Sequence, residues 1–325
     1  MKNRGKLQSS PKFDVLDKTL GISQNQQRLI FRTSRRSKLC LACLVVICLK
    51  FYTFSSSFDQ HVQVATTGTF AIVMATKGER LIERSLLHYL SCSSTTSLTQ
   101  IFVVGPRKTP SSSLAPSPSS VPIFFTNENS TSLNDRFKPL PPNHLHASTT
   151  GLFSVDDDIL VSCKSLQYAF QTWESGKNNS LVGFFPRLHL YKSQSWLSYK
   201  GWPSVYWSNS YSMILTKACF IHKDYFSLYS STENLKIREI VDEMRNCEDI
   251  AMNVLVRSSF YVQGHVKDYG VLSGISASHA YTHMSSRASC LKRFAAIFPN
   301  RLPDLQPLQT SFPSTPFEWI TLDFL

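Results

Sequence analysis

The sequence of 325 residues lacks the patterns that mark two common classes of binding protein. The five cysteines after residue 60 form no Cys-x-x-Cys pair and no Cys/His ligand spacing, which argues against a structural zinc site in that part of the chain. It has no stripe of Lys and Arg running through an aromatic face, which argues against nucleic-acid binding. It also contains no internal repeat.

The composition is that of a folded protein whose positive charge is concentrated at one end. Hydrophobic residues make up 42% of the chain and aromatic residues 12%, which is typical of globular proteins. The formal net charge is +12, but residues 1–60 contain eleven Lys or Arg against three Asp. The remaining 265 residues hold 23 basic against 19 acidic side chains, so this larger part is only mildly basic.

The sequence also lacks an uninterrupted apolar run of the roughly 20 residues that usually span a membrane. Its longest run, 39–49, has eleven residues and follows five basic residues within 28–38. If Lys50 snorkels to the far interface, residues 51–54 extend the run to about sixteen, which suits a thinner early-secretory bilayer. Since positive residues stay in the cytosol, we expect a type II signal anchor. A cleaved signal peptide and a buried core helix are the alternatives.

This reading predicts five segments: a cytosolic basic tail 1–37, a transmembrane signal anchor 38–56, a stem 57–68, a catalytic domain 69–298 and an irregular tail 299–325. The domain then faces the lumen of the Golgi or the endoplasmic reticulum. Sequons at Asn129 and Asn178 are candidate glycosylation sites there. Five cysteines follow the anchor, so at least one stays free or pairs between chains.

Strand and helix patterns alternate along the domain. Apolar runs at 70–74, 101–104 and 121–125 predict strands, and the spacing over 80–90 predicts a helix between the first two. Such alternation indicates an α/β protein with a parallel, Rossmann-like sheet. Further strands are predicted at 151–155, 181–185 and 212–215, and helices at 164–173, 233–245, 249–256 and 285–298. Ligands bind these sheets at the carboxyl ends of the strands.

Three consecutive carboxylates, Asp156-Asp157-Asp158, follow the strand predicted at 151–155. Like charges so close together raise one another's pKa, and a divalent cation is the simplest way to neutralise them. Oxygen ligands suit Mg²⁺ or Mn²⁺, which retain open positions for phosphate oxygens. The alternative is that the aspartates cap the next helix or form a turn.

A second group of polar residues lies in the segment 246–253, which reads NCEDIAMN. Its two carboxylates, Glu248 and Asp249, open a predicted helix. They can act in a reaction, or they can merely be favourable charges at the positive end of the helix dipole.

From residue 70 to about 297, the chain resembles the exostosin-like glycosyltransferases of family 64, especially the short plant members with a single domain. The resemblance rests on blocks in the expected order: SLNDRF (132–137), VDDD (155–158), LVGFFPR (181–187), YSMIL (211–215), NCEDIAMN (246–253), GIS (274–276) and RASC (287–290). It implies a GT-A nucleotide-sugar transferase fold, an Mn²⁺ site (Mg²⁺ as the alternative), and sugar transfer with retention at the anomeric carbon.

The resemblance also implies roles for individual residues. On the donor side, Asp158 matches the direct metal ligand, and Asp156 and Asp157 match contacts to the nucleoside and to the ribose or sugar. The other implied donor-binding residues are Arg80, Arg136 and Asn246.

On the reaction side, Asp249 matches the carboxylate beside the transferred sugar, and Arg287 an arginine that supports the departing diphosphate. Asp249 can attack the sugar covalently or stabilise an oxocarbenium-like centre, and the sequence leaves both mechanisms open. Cys247 and Cys290 match a family disulfide, which suits the oxidising lumen.

Two functions follow from different weightings of these residues. The first is a transferase that uses GDP-mannose or a UDP-N-acetylhexosamine and glycosylates a glycan or a glycosyl inositol phosphorylceramide. The second is a catalytically weak or inactive, membrane-tethered subunit of the same fold that binds sugars or serves as a scaffold. Four aromatic residues are either an acceptor platform or core: Trp196, Trp202, Tyr206 and Trp207.

Overall fold

The computed structural model describes residues 68–76, 81–106, 121–126, 129–193, 196–270 and 280–308. The chain divides into two compact units between Phe58 and Asp59, and every described residue belongs to the second. The predicted cytosolic tail, signal anchor and most of the stem lie outside the described residues, as does Arg80. Among the helices that the structure describes, none combines the length and apolarity needed to cross a bilayer.

The strands follow the predicted order, with several additions. They are β1 Thr69–Ala75, β2 Leu98–Val104, β3 Ile123–Thr126, β4 Thr149–Asp156, β5 Ile159–Val161, β6 Leu181–Gly183, β7 Pro186–Ser193, β8 Trp196–Lys200, β9 Ser210–Tyr211, β10 Met213–Ile214, β11 Ala218–His222, β12 Ser259–Tyr261, β13 Val266–Asp268 and β14 Gln306–Pro307.

The helices include all five predicted ones. They are α1 Ile82–Ser91, α2 Cys163–Glu174, α3 Trp202–Ser208, α4 Asp224–Ser230, α5 Leu235–Met244, α6 Glu248–Val256 and α7 Ala280–Ile297. Short 3-10 turns occupy Cys92–Ser94, Leu133–Phe137, Pro142–His144 and Thr232–Asn234.

A seven-stranded sheet in the order β12-β6-β11-β4-β1-β2-β3 forms the centre of the domain. β1 pairs in parallel with both β2 and β4, and β2 pairs in parallel with β3. The predicted parallel core is therefore present. The sheet is mixed, however, because β11 runs antiparallel between β4 and β6. The chain enters β11 at the edge where β4 ends, so polar residues preceding β11 join those that follow β4.

The side chains of a strand alternate between the two faces of a sheet. Both faces of this sheet are covered. On one face Phe70 packs against Phe170 of α2 with ring centroids 4.9 Å apart, and against Phe220 of β11 at 5.1 Å. On the other face Phe137 contacts Phe226 at 5.6 Å and Tyr229 at 5.0 Å, both on α4. These buried aromatic residues fix the sheet between its helices.

Three small sheets flank the main one: β10-β7-β8, β13-β5 and β14-β9. β13 pairs antiparallel with β5, which directly follows residues 156–158, here named the aspartate turn. β14 pairs with β9, so residues 306–307 are ordered within the segment predicted to be an irregular tail. A strand of two residues has no periodicity by which the sequence could reveal it.

Candidate active site

The three aspartates lie at the carboxyl ends of β1 and β4, where α/β sheets bind ligands. The backbone N–H of Asp156 donates to the carbonyl of Lys217 over 3.1 Å, and that of Asp157 donates to the carbonyl of Ala75 over 3.1 Å. These bonds hold the turn between the ends of β1 and β11. The aspartates thus belong to a fixed backbone at the edge of the sheet.

Asp156 forms an ion pair with Arg136, a residue of the turn Leu133–Phe137. The turn is capped by Ser132, whose Oγ accepts the N–H of Asn134 over 3.2 Å. Arg136 is buried and also donates to Oγ1 of Thr216 over 3.4 Å. Burial alone would lower the pKa of Arg136, but the charge of Asp156 raises it. Arg136 therefore remains a permanent cation that neutralises Asp156.

Asp157 and Asp158 are less well neutralised. Oγ1 of Thr76 donates to Asp157 Oδ2 over 2.6 Å, and Ser85 Oγ donates to the Asp157 carbonyl over 2.5 Å. Burial raises the pKa of the Asp157 carboxyl. Burial, followed by the charges of Asp156 and Asp268, raises the pKa of Asp158 to about 6. Negative charge is therefore in excess at this end of the turn.

A fourth carboxylate, Asp268 of β13, joins this group. It lies opposite Ile159 in the β13–β5 pairing and forms an ion pair with Lys217. The N–H of Tyr269 donates to the carbonyl of Asp158 over 2.9 Å. A Cβ atom on Gly270 would overlap the Asp158 carboxylate, so a larger residue there would have to displace that carboxylate. β13 thus packs directly on the aspartate turn.

Asp158 fits a shared metal site better than a closed one. Within the described part of the chain, no three His, Cys, Asp or Glu side chains are grouped to hold an ion. Mg²⁺ and Mn²⁺ sites in phosphate-binding enzymes instead use one or two carboxylates, with substrate phosphates and water completing the shell. The excess negative charge around Asp158 is what such a cation would offset.

The second predicted group is held by an unusual backbone conformation. Cys247 has φ 78°, in the left-handed region, and immediately precedes α6. Its N–H donates to Oδ1 of Asn246 over 2.8 Å, and its sulfur is bonded to Cys290 of α7. A non-glycine residue in this region costs on the order of 1 kcal/mol and persists where its surroundings enforce it. The disulfide to Cys290 and the hydrogen bond to Asn246 hold Cys247 in this conformation.

Asp249, two residues further on, is buried against Arg287 of α7. Nη1 of Arg287 donates to Asp249 Oδ2 over 2.5 Å and to the Tyr199 hydroxyl over 3.1 Å. Oδ1 of Asp249 accepts the N–H of Ile250 over 2.7 Å. Burial alone would raise the pKa of Asp249, but the Arg287 guanidinium lowers it, so the carboxylate is ionised at neutral pH.

Glu248 connects the two groups. Burial and the charge of Asp249 raise its pKa, whereas Arg136 and Arg287 both act to lower it. Asp249 and Arg136 also influence each other's pKa directly. The charges of the Arg136–Asp156 and Arg287–Asp249 pairs therefore act on the Glu248 carboxyl and on each other, although the residues of one pair lie some ninety to one hundred and fifty positions from those of the other.

Four residues at this site were not singled out from the sequence: Thr76, Tyr199, Lys217 and Asp268. Glu248 was noted there only together with Asp249, in the NCEDIAMN block. Tyr199 and Asp268 carry no sequence signal, since they arrive from β8 and β13, two strands that the sequence did not predict.

The remaining predicted residues fall as follows. Cys247 and Cys290 are bonded, as the resemblance implies, and Cys92 and Cys163 form a second disulfide. The fifth cysteine, Cys219, is free and buried. Both sequon asparagines, Asn129 and Asn178, are exposed in turns.

Two of the four aromatic residues considered as an acceptor platform, Trp202 and Trp207, are exposed. Trp202 is 58% exposed and Trp207 is 83% exposed, both on α3. Tyr206 meets Trp202 edge-on, with ring centroids 6.3 Å apart. The side chain of Trp196 lies outside the described set. Of the two interpretations offered above, the core reading is wrong for Trp202 and Trp207.

A mixed α/β sheet with a carboxylate turn at its carboxyl edge is consistent with a nucleotide-sugar transferase fold. Residues 69–308 match the family model of the glycosyl transferase family 64 domain. The chain therefore belongs to glycosyltransferase family 64 and is a glycosyltransferase, which argues against the inactive alternative.

Individual relatives agree with this assignment. The chain is 33% identical over 303 residues to glycosylinositol phosphorylceramide mannosyl transferase 1 of Arabidopsis thaliana, covering 82% of this chain and 86% of that protein. It is 27% identical over 265 residues to exostosin-like 2 of Mus musculus, covering 75% and 78% respectively. The solved structure of 4-diphosphocytidyl-2C-methyl-D-erythritol synthase from Anaerococcus prevotii is 10% identical with a TM-score of 0.39, and the match covers 66% of this chain and 99% of that one.

Proposed function

We propose that this glycosyltransferase is metal-dependent and retaining. It transfers mannose or an N-acetylhexosamine from a nucleotide-sugar donor to a glycan or to a glycosyl inositol phosphorylceramide. The observation that carries the proposal is the buried Asp249–Arg287 pair beside Glu248, Arg136 and the aspartate turn. An ionised carboxylate held next to a phosphate-binding edge is what a reaction through a positively charged sugar requires.

On the donor side, Asp158 would hold Mn²⁺ or Mg²⁺ together with the donor diphosphate. When bound, the metal acts as a Lewis acid on the departing nucleoside diphosphate. Asp156 and Asp157 are the candidate contacts to the nucleoside and the sugar, and Arg136 and Asn246 are the other candidate donor-binding residues. Arg136 pairs with Asp156 and orients it, and the Thr76 hydroxyl orients Asp157 by hydrogen bonding.

On the reaction side, Asp249 would face the anomeric carbon. Both of its oxygens already accept hydrogen bonds, from Arg287 and from the Ile250 N–H. Those bonds weaken a nucleophile, which favours electrostatic stabilisation of an oxocarbenium-like centre over covalent attack. Nε of Arg287 is buried and has no hydrogen-bond partner within the described residues, so it is available to an anionic leaving group.

The acceptor and the membrane enter the proposal through separate observations. The Arabidopsis relative is named for a glycosylinositol phosphorylceramide, a lipid-linked acceptor. Exposed Trp202 and Trp207 offer aromatic faces to a sugar or to a lipid interface. A lipid acceptor also suits an enzyme held at a Golgi or endoplasmic-reticulum membrane by the signal anchor proposed at 38–56, with its catalytic domain in the lumen.

The test is consumption of GDP-mannose, UDP-N-acetylglucosamine and UDP-N-acetylgalactosamine by the full chain in detergent, with Mn²⁺ or with chelator. We expect metal-dependent use of one donor that is lost in Asp158→Ala. Asp224→Asn, an exposed carboxylate on α4, is the matched control and should retain wild-type activity. Consumption that survives chelation would refute the metal requirement. A folded protein that neither binds nor consumes a donor would refute the proposed reaction.

A further inference from the structure

Lys217 is a basic residue at the aspartate turn that the mechanism above leaves unused. It directly precedes β11, and its carbonyl accepts the N–H of Asp156 over 3.1 Å. The next residue, Ala218, lies opposite Val155 of β4. The backbone of Lys217 is therefore fixed beside Asp156, at the edge of the sheet where ligands bind.

The side chain of Lys217 is held on two sides. Its ammonium forms an ion pair with Asp268 and lies 4.0 Å from the centroid of the Phe185 ring. Asp268 in turn pairs with Ile159, the residue after Asp158. The ammonium is thus directed toward the Asp158 end of the turn, where the metal and the diphosphate are expected. The Lys217 side chain remains 21% exposed, so part of its surface is open.

An ammonium group suits a second partner here. It carries three N–H donors, of which the Asp268 contact needs one. Lysine binds phosphate as a compact point charge and does not need the paired geometry of a guanidinium. Arg136 and Arg287 are buried against Asp156 and Asp249 respectively, whereas Lys217 is the more exposed cation.

We propose that Lys217 binds the terminal phosphate of the nucleoside diphosphate, both in the donor and in the product. This inference rests on the proposed function. In the transfer, the bond between the anomeric carbon and the phosphate oxygen breaks and its electron pair stays on that oxygen. The acceptor oxygen bonds to the carbon and its proton passes to solvent. Lys217 stabilises the charge that this step leaves on the phosphate, and Asp268 and Phe185 keep the ammonium in position.

The competing explanation is that Lys217 only neutralises Asp268. Removing the lysine would then weaken anion binding indirectly, by leaving an unpaired carboxylate next to the site. The double variant Lys217→Met/Asp268→Asn separates the two explanations, because it removes both charges together. Binding recovers in the double variant if neutralisation is the role, and it stays weak if the ammonium contacts phosphate.

The experiment is calorimetric titration of the full chain in detergent with GDP, GMP, UDP and UMP in the presence of Mn²⁺. We expect Lys217→Met to weaken binding of the diphosphate roughly 10-fold or more and of the monophosphate less than about 2-fold. Lys217→Arg keeps the cation and should stay within about 3-fold of wild type. Lys223→Met, at the opposite end of the same strand β11, is the matched control.

The outcomes are distinct. Weak diphosphate binding in both Lys217→Met and the double variant, with Lys223→Met unchanged, supports the inference. Wild-type affinity in Lys217→Met, or recovery in the double variant, overturns it and leaves the proposed function intact. A wild-type protein that binds neither diphosphate overturns the proposed function itself, and the Lys217 inference with it.

Discussion

The two arginine–carboxylate pairs of the site are built in opposite ways. Around Arg136–Asp156, the backbone ladders of β1, β4 and β11 hold a turn on which negative charge exceeds positive charge. Around Arg287–Asp249, a disulfide and a left-handed cysteine hold a carboxylate whose charge is matched by its arginine. The pKa of Asp158 is raised, whereas that of Asp249 is lowered.

This difference separates two tasks. A group of carboxylates with excess charge attracts a cation and, through it, a diphosphate. A carboxylate that is fully hydrogen-bonded and ionised keeps its charge in place while a positive centre develops beside it. We therefore regard the aspartate turn as the part that binds the donor and the Asp249–Arg287 pair as the part that acts during the reaction.

The largest expected effect comes from breaking the second pair. Asp249→Asn keeps the shape of the side chain and removes its charge, so turnover should fall by roughly 10²- to 10³-fold or more. The KM for the donor should change little, because the aspartate turn, which we propose binds the donor, is unchanged in this variant. Steady-state rates with the full chain measure both quantities. Turnover within about 2-fold of wild type would remove Asp249 from the reaction.

The two disulfides provide the next comparison. Replacing either pair by alanine should lower the free energy of unfolding by about 2–4 kcal/mol. Loss of Cys247–Cys290 should in addition lower kcat roughly 10-fold, because the Asp249 segment is no longer fixed to α7. Loss of Cys92–Cys163, which joins the end of α1 to the start of α2, should leave kcat nearly unchanged. Equal effects of the two replacements on kcat would contradict a positioning role for Cys247–Cys290.

A smaller effect is expected at Tyr199. Tyr199→Phe removes the hydroxyl that accepts from Arg287, so the guanidinium should be less firmly held and kcat should fall roughly 3- to 10-fold. Tyr191→Phe on the neighbouring strand β7 is the control, since that side chain is 57% exposed. The idea fails if both variants lose the same amount of activity.

The smallest expected effect is on how the free energy of unfolding depends on pH, through His88. Burial, together with the charge of Lys267, lowers the pKa of His88, although a hydrogen bond with the Val161 carbonyl opposes the shift. The unfolded chain then takes up the proton first, so His88 should cost stability as pH falls below about 6.5 toward its folded pKa. His88→Gln should flatten this part of the curve of unfolding free energy against pH, measured in denaturant titrations. An unchanged slope in His88→Gln would remove His88 as the cause.

The sequence predicted the elements that carry strong periodicity. Clear signals come from the apolar runs of three strands, β1, β2 and β4, and from the helical spacing of α1, α2, α5, α6 and α7. Each of these elements buries a continuous row of apolar residues. It did not predict the hairpin of β7 and β8, or the antiparallel strand β11. Those strands are short or half-polar, and their placement depends on partners far away in the chain.

Like the fold, the candidate site was predictable from the sequence only in part. Asp156–Asp158 stand out as three carboxylates after a predicted strand, and Asp249 as one of two that open a predicted helix, whereas Arg287 is marked only by the resemblance. Lys217, Asp268 and Tyr199 reach the site through β11, β13 and β8, so their roles depend on sheet topology that the sequence leaves undetermined. The roles of Arg80 and the membrane anchor stay predictions.

The most direct measurement is donor binding and donor turnover in parallel for Asp158→Ala and Asp249→Asn, with Mn²⁺ and the full chain. We predict that Asp158→Ala loses metal-dependent donor binding, whereas Asp249→Asn retains binding and loses turnover. Loss of binding in both variants, or retention of turnover in Asp249→Asn, would contradict the division of the site into a binding part and a reacting part.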